Sequence, residues 1–128
     1  MRIFKNKVFT RFARKSGISD AALCKAVIDA ERGLIDADLG GGVIKQRVAR
    51  EGGGKSGGFR TMVLFRTGTR AFFVYGFAKN ERDNIEFDEL TEFRRLAARM
   101  LNYSDAELRH AISNNKLTEV FYEDKAIS

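Results

Sequence analysis

Three consecutive glycines, Gly40, Gly41 and Gly42, stand where the spacing of apolar residues changes its period. Glycine reaches turn and left-handed conformations without a Cβ clash, so a run of three interrupts any regular element. Before the run, the spacing is helical. Asn6 can cap a helix over 7–16 in which Phe9, Phe12 and Ala13 share a face, with Gly17 as its stop. Ser19 or Asp20 opens a second helix, where Leu23, Ala26, Val27 and Ala30 recur at helical intervals before Gly33. A short strand is expected at Arg2 to Lys5, ahead of both.

After the glycines the side chains alternate. Between Val43 and Arg50, Ile44, Gln46 and Val48 fall on one face and Val43, Lys45 and Arg47 on the other. Phe59 to Arg66 sets Phe59, Thr61, Val63 and Phe65 against Arg60, Met62, Leu64 and Arg66, and Thr67-Gly68-Thr69 links it to a third strand, Arg70 to Ala78. The period becomes helical again from Phe87 to Leu101. Ser104 and Glu107 form a capping box for a fourth helix ending at Asn114-Asn115, and Leu117 to Tyr122 is apolar enough to pack as an extended segment. The expected class is α+β, one domain over 1–128, with a small antiparallel sheet of about four strands, an N-terminal helical hairpin and C-terminal helices.

Charge is unevenly distributed. The chain carries +6 overall, but residues 40–82 hold nine Lys or Arg against two acidic residues, and residues 83–128 are net acidic. A localised basic region of this kind marks a polyanion-binding surface, set against the plainer reading of a solvated face. No apolar run has the ~20 residues of a membrane span, and the N-terminal segment lacks the uninterrupted apolar stretch of an export signal, so a cytoplasmic, unprocessed protein is expected. With one Cys and one His, Cys24 and His110, there is neither an internal disulfide nor a soft-ligand set for zinc, and no cofactor is expected.

The segment Gly52 to Gly58, containing Gly-Lys-Ser, resembles a nucleotide-binding loop only superficially. Ala49 stands where the first glycine of that pattern belongs, and a strand follows where a helix is required. The carboxylates Asp83, Glu86, Asp88 and Glu89 are read as compensation of a helix dipole rather than as a magnesium site. His110 and Cys24 have no visible catalytic partner. What remains are the cations Lys45, Arg47, Lys55, Arg60, Lys79 and Arg82 on neighbouring β-structure. Cleavage of RNA by its own 2′-hydroxyl needs a base, an acid and positive charge on the phosphorane; arginine supplies the charge, and a lysine crowded by other cations can exchange a proton near neutrality.

At Gly54-Lys55-Ser56-Gly57-Gly58-Phe59-Arg60, and again at Phe77-Ala78-Lys79-Asn80-Glu81-Arg82-Asp83-Asn84, the sequence resembles the RelE/ParE superfamily of toxins from type II toxin–antitoxin systems, on its RelE/HigB-like side. The resemblance covers residues 40–90 and agrees with the order of elements before them. It implies a RelE-like fold and a toxin neutralised by a cognate antitoxin, of helix-turn-helix type in many similar systems. The activity it implies is metal-independent cleavage of messenger RNA in the ribosomal A site. By position it makes Arg60 the arginine at the scissile phosphate, with Lys79 and Lys55 as further catalytic groups and Lys45, Arg47 and Arg82 as RNA contacts. Two departures stand out: Asn80 occupies the place of a catalytic arginine, and Phe87 is the nearest aromatic to an expected tyrosine. Phe87 can stack on a base but cannot transfer a proton. A gyrase inhibitor of the ParE kind, or a catalytically inactive binding module, remains open beside the nuclease.

Overall fold

A computed structural model describes residues 1–50 and 58–121. Strand β1 (Arg2–Asn6) leads into helices α1 (Lys7–Ser16) and α2 (Asp20–Glu31). Four strands follow, β2 (Ala37–Gly40), β3 (Val43–Val48), β4 (Phe59–Arg66) and β5 (Arg70–Ala78), then α3 (Phe87–Met100), α4 (Asp105–Ser113) and β6 (Leu117–Val120). The strands form a single sheet in the order β2-β3-β4-β5-β1-β6, with β1 parallel to β5 and the other pairs antiparallel.

Two expectations are corrected here. The sheet has six strands rather than about four, and it is mixed rather than antiparallel. The additional strands lie at its edges. β2 carries only Ala-Asp-Leu-Gly, too polar and short to announce itself, while the segment expected merely to pack at Leu117 onwards pairs with β1 as β6. The chain between β1 and β5 runs through the helical hairpin and three further strands, a connection long enough for the two to pair in parallel.

The glycine run does more than divide helix from sheet. It closes the β2–β3 hairpin: Gly40 pairs with Val43 across Gly41 and Gly42, which have φ of 64° and 86°. Positive φ at both turn residues matches the twist of a two-residue hairpin. Space is limited too, since a Cβ on Gly42 would lie 2.8 Å from Leu101 Cδ1 on the helix that packs above.

Helices cover both faces of the sheet. On one, α1 and α2 bury Phe9, Ala13, Leu23, Val27 and Ala30 against Ile44, Val48, Val63 and Phe73. On the other, α3 and α4 bring Ala97, Met100, Leu101 and Leu108 onto Val43, Met62, Leu64, Phe72 and Val74. Each fully buried Val, Leu, Ile, Phe or Met among these contributes roughly 1.5–3 kcal/mol. The expected caps are in place: Asn6 Oδ1 accepts from Phe9 N at 2.8 Å, and Ser104 with Glu107 completes a capping box. Asn115 ends α4 with φ 60°. Glu86 and Glu89 form a second capping box at the start of α3, which accounts for part of the acidic run there.

A bulge in β5 decides which side chains meet at one end. Met62 pairs with Tyr75 and Val63 with Phe73, so Val74 has no partner in β4. Past this point the alternation inverts, and Tyr75 and Phe77 join the α3 face while Gly76 turns toward α1. A Cβ on Gly76 would lie 2.4 Å from the Phe12 ring. Helix α1 therefore sits directly on the strand at this position.

Candidate functional site

The sheet end formed by the close of β3, the start of β4 and the close of β5 gathers the basic residues. In register across it stand Arg47, Arg60 and Phe77, and in the next row Lys45, Met62 and Tyr75. Helix α3 covers the opposite part of this face and leaves the end with Arg47 exposed and Lys45 half-buried. The expected division of the strand faces is correct for Lys45, Arg47 and Arg60.

Arg60 is only 8% exposed, unusual for an arginine. Its Nε lies 3.4 Å from Asp36 Oδ2, and Lys45 Nζ lies 3.7 Å from the same oxygen. Asp36 is placed by Gln46, a buried residue of β3. The Gln46 amide donates to Ala26 O and Leu34 O at 2.8 and 2.9 Å, and its Oε1 accepts from Asp36 N at 3.2 Å. One buried amide thus joins α2, the chain leading into β2, and the strand bearing Lys45 and Arg47. Pairing with Asp36 compensates the charge of Arg60 and sets its direction; a buried cation without such a partner would be costly.

Arg82 has a different situation. After β5 the chain turns, with Glu81 N and Arg82 N donating to Ala78 O at 3.0 and 3.2 Å. The Arg82 guanidinium lies over the rings of Tyr75 and Phe77, at 5.6 and 5.8 Å from their centroids. It donates to Asn84 O and Tyr75 Oη at 2.7 Å each and pairs with both carboxylate oxygens of Glu89. The hydrogen bond to Glu89 raises the arginine's pKa and holds the carboxyl of Glu89 below its ordinary value. Arg82 accordingly clamps the segment before α3 onto the sheet.

Lys79 lies in the turn after β5 and is exposed, and Phe87, the first residue of α3, is 74% exposed. Among the described residues neither the Arg47 nor the Lys79 side chain has a hydrogen-bonding or ionic partner. Arg47 also lines an open groove of about 730 Å³ between α2 and the end of β3, with Lys25, Asp29, Leu34 and Arg50. Lys55 falls outside the described residues. Cys24 is buried, and burial pushes its thiol up to about 11, as suits a small core residue rather than a nucleophile.

Two members of this constellation were not singled out from the sequence. Asp36 is an isolated acid before a strand too short to recognise. Tyr75 reaches the Arg60 face only because of the bulge, whereas strict alternation puts it with Phe73. Its hydroxyl, oriented by Arg82, supplies a proton-bearing aromatic that Phe87 does not.

The paired Arg60 and the exposed Arg47 and Lys79 concentrate positive charge at this sheet end, an arrangement whose electrostatics suit an anion. The family model for the RelE toxin of the RelE/RelB toxin–antitoxin system matches residues 1–120.

The chain belongs to the RelE toxin family.

Its match spans nearly the whole described structure, including both packed helical layers. No curated protein matches the chain. As a RelE family member it is a toxin of a toxin–antitoxin system with a cognate antitoxin as partner. Among the described residues no helix is long and apolar enough to cross a membrane.

Proposed function

We propose that this RelE family toxin is an endoribonuclease that cuts messenger RNA presented in the ribosomal A site, with RNA's own 2′-hydroxyl as nucleophile. The observation that carries this reading is the fixing of Arg60 by Asp36 beside exposed Arg47, at the same sheet end as Lys79. In the reaction the 2′-oxygen forms a bond to phosphorus, the 5′-oxygen leaves with a proton, and a 2′,3′-cyclic phosphate remains. No metal is needed, because the nucleophile is already attached to the substrate.

Arg60 stabilises the charge that accumulates on the phosphorane, and its prior fixation limits reorganisation in the transition state. Lys79 and Lys55 are assigned to catalysis with it, one or both exchanging a proton with the reacting oxygens. Arg47 and Lys45 contact the backbone on either side. Phe87 offers a face on which an unpaired base stacks. Arg82 contributes through the Tyr75–Phe77 platform that it holds, rather than by meeting phosphate directly. A ribosome that presents a strained single strand supplies the orientation of the scissile group.

The test is to map messenger-RNA 5′ ends in translating extracts and on ribosome-free RNA, comparing wild type with Arg60→Ala. Cuts in ribosome-bound message that fall at least 100-fold in the variant, with its thermal unfolding still cooperative, are the expected result. Undiminished cutting by a folded Arg60→Ala protein overturns the residue's role. Growth arrest without any cuts instead favours a bound target such as gyrase.

A further inference from the structure

The sheet end leaves another basic surface unexplained. Helix α1 contains Lys7, Arg11, Arg14 and Lys15 and no acidic residue. At 100° per residue these four fall within an arc of about 100° and extend over about 12 Å of helix. All four are exposed, and among the described residues none of their side chains has an ionic or hydrogen-bonding partner. The nearby cation that does find an acid is Lys5, paired with Asp20 at 3.2 Å. Like charges so arranged repel one another without compensation among the described residues, which favours an external anion at this face.

The position of the helix narrows what that anion can be. Its apolar side is already occupied: Phe9 is fully buried against Phe73, with ring centroids 5.1 Å apart, and Phe12 packs edge-on against Phe59 at 5.6 Å. Of the helix's apolar residues only Val8 is exposed, which falls short of the stripe that a membrane-binding amphipathic helix requires. Phe12 also reaches Gly76, so the second half of α1 lies over the same sheet end as Arg60, but in the opposite layer.

We propose that the exposed face of α1 binds the phosphates of double-helical RNA, separately from the single strand handled at the sheet end. The division follows from RNA chemistry. A strand held in A-form cannot align its 2′-oxygen with the departing 5′-oxygen, so cleavage requires an unpaired strand. A regular duplex instead presents rows of phosphates and little readable base edge, which suits a row of cations on a helix. The proposal deepens the RNA-cleaving reading by naming a second RNA contact, but its readout is binding alone.

The experiment uses the full chain and fluorescence anisotropy of two fluorescein-labelled probes, a 20-base-pair RNA duplex and an unstructured 20-nucleotide RNA. The variants are K7Q/R11Q/R14Q/K15Q and, for comparison, R47Q/K79Q. The fourfold variant is expected to lose at least tenfold in duplex affinity and less than threefold for the single strand. Its dependence of log Kd on log salt for the duplex should flatten by about 2–4, close to one unit for each phosphate no longer engaged. The twofold variant should show the reverse preference. Unchanged duplex binding by the folded fourfold variant overturns the proposal, as does equal loss on both probes. Duplex binding retained while affinity for poly-glutamate or for anionic lipid vesicles is lost would assign the face to an acidic protein or a membrane instead. Failure of the cleavage test leaves these binding outcomes intact, so the two readings fall separately.

Discussion

Asp36 has opposite consequences for folding and for ligand binding. It pairs with both Arg60 and Lys45 and offsets one of their two charges, yet it places a carboxylate where phosphate oxygens would approach. Asp36→Asn removes that negative charge while retaining a side chain of the same shape. We expect it to tighten binding of single-stranded RNA by about three- to tenfold, the effect of a like-charge contact worth roughly 1 kcal/mol. Titration of wild type and variant with labelled RNA at fixed salt checks this; weaker binding would mean that ordering Arg60 matters more than its neutralisation. At the residue scale, the strand face of Arg60 was legible from the alternation of β4, while Asp36 was not, because a single acid acquires meaning only from what the buried Gln46 brings near it.

At the scale of elements, the clamp between Arg82 and α3 links the turn after β5 to the sheet. Arg82→Ala removes four hydrogen bonds and the cover over Tyr75 and Phe77, and should lower stability by about 1–2 kcal/mol, measured by urea denaturation. The same pair predicts a pH dependence. Glu89 has a folded-state pKa below its unfolded value, so its contribution is present above about pH 4.3 and is lost as pH falls through the lowered pKa. Wild type should therefore lose more stability than Glu89→Gln between about pH 5 and pH 3, and parallel pH profiles would remove Glu89 from that account. Helix boundaries were readable at this scale because caps are local: Asn6, Ser19, Ser104 and Asn115 act within a few residues of themselves. β2 was not readable, since an edge strand of four residues has no periodicity to display.

For the molecule as a whole, charge follows the two layers of the fold. The sheet end and α1 expose basic groups, whereas the acids of the last third are spent largely on helix starts and on clamping Arg82. RNA binding by the intact protein should accordingly weaken steeply with salt. Between 50 and 200 mM salt an affinity loss of tenfold or more is expected if at least three phosphates are engaged, from a single-strand slope of about 0.7 per phosphate. Affinity that hardly changes over that range would rule out a surface built chiefly on backbone contacts.

The order of the four helices and of β1 and β3 to β5, the two faces of β3 and β4, the concentration of positive charge and the family motifs were all legible in the sequence alone, because each depends on neighbours along the chain. Tertiary structure decided the rest. The parallel pairing of β1 with β5, the two edge strands, the bulge that turns Tyr75 toward Arg60, and the choice of Arg82 as clamp depend on contacts between residues distant in sequence. A local pattern can assign a side chain to a face, but only packing determines which opposing charge it meets there and which cations are left exposed for a ligand.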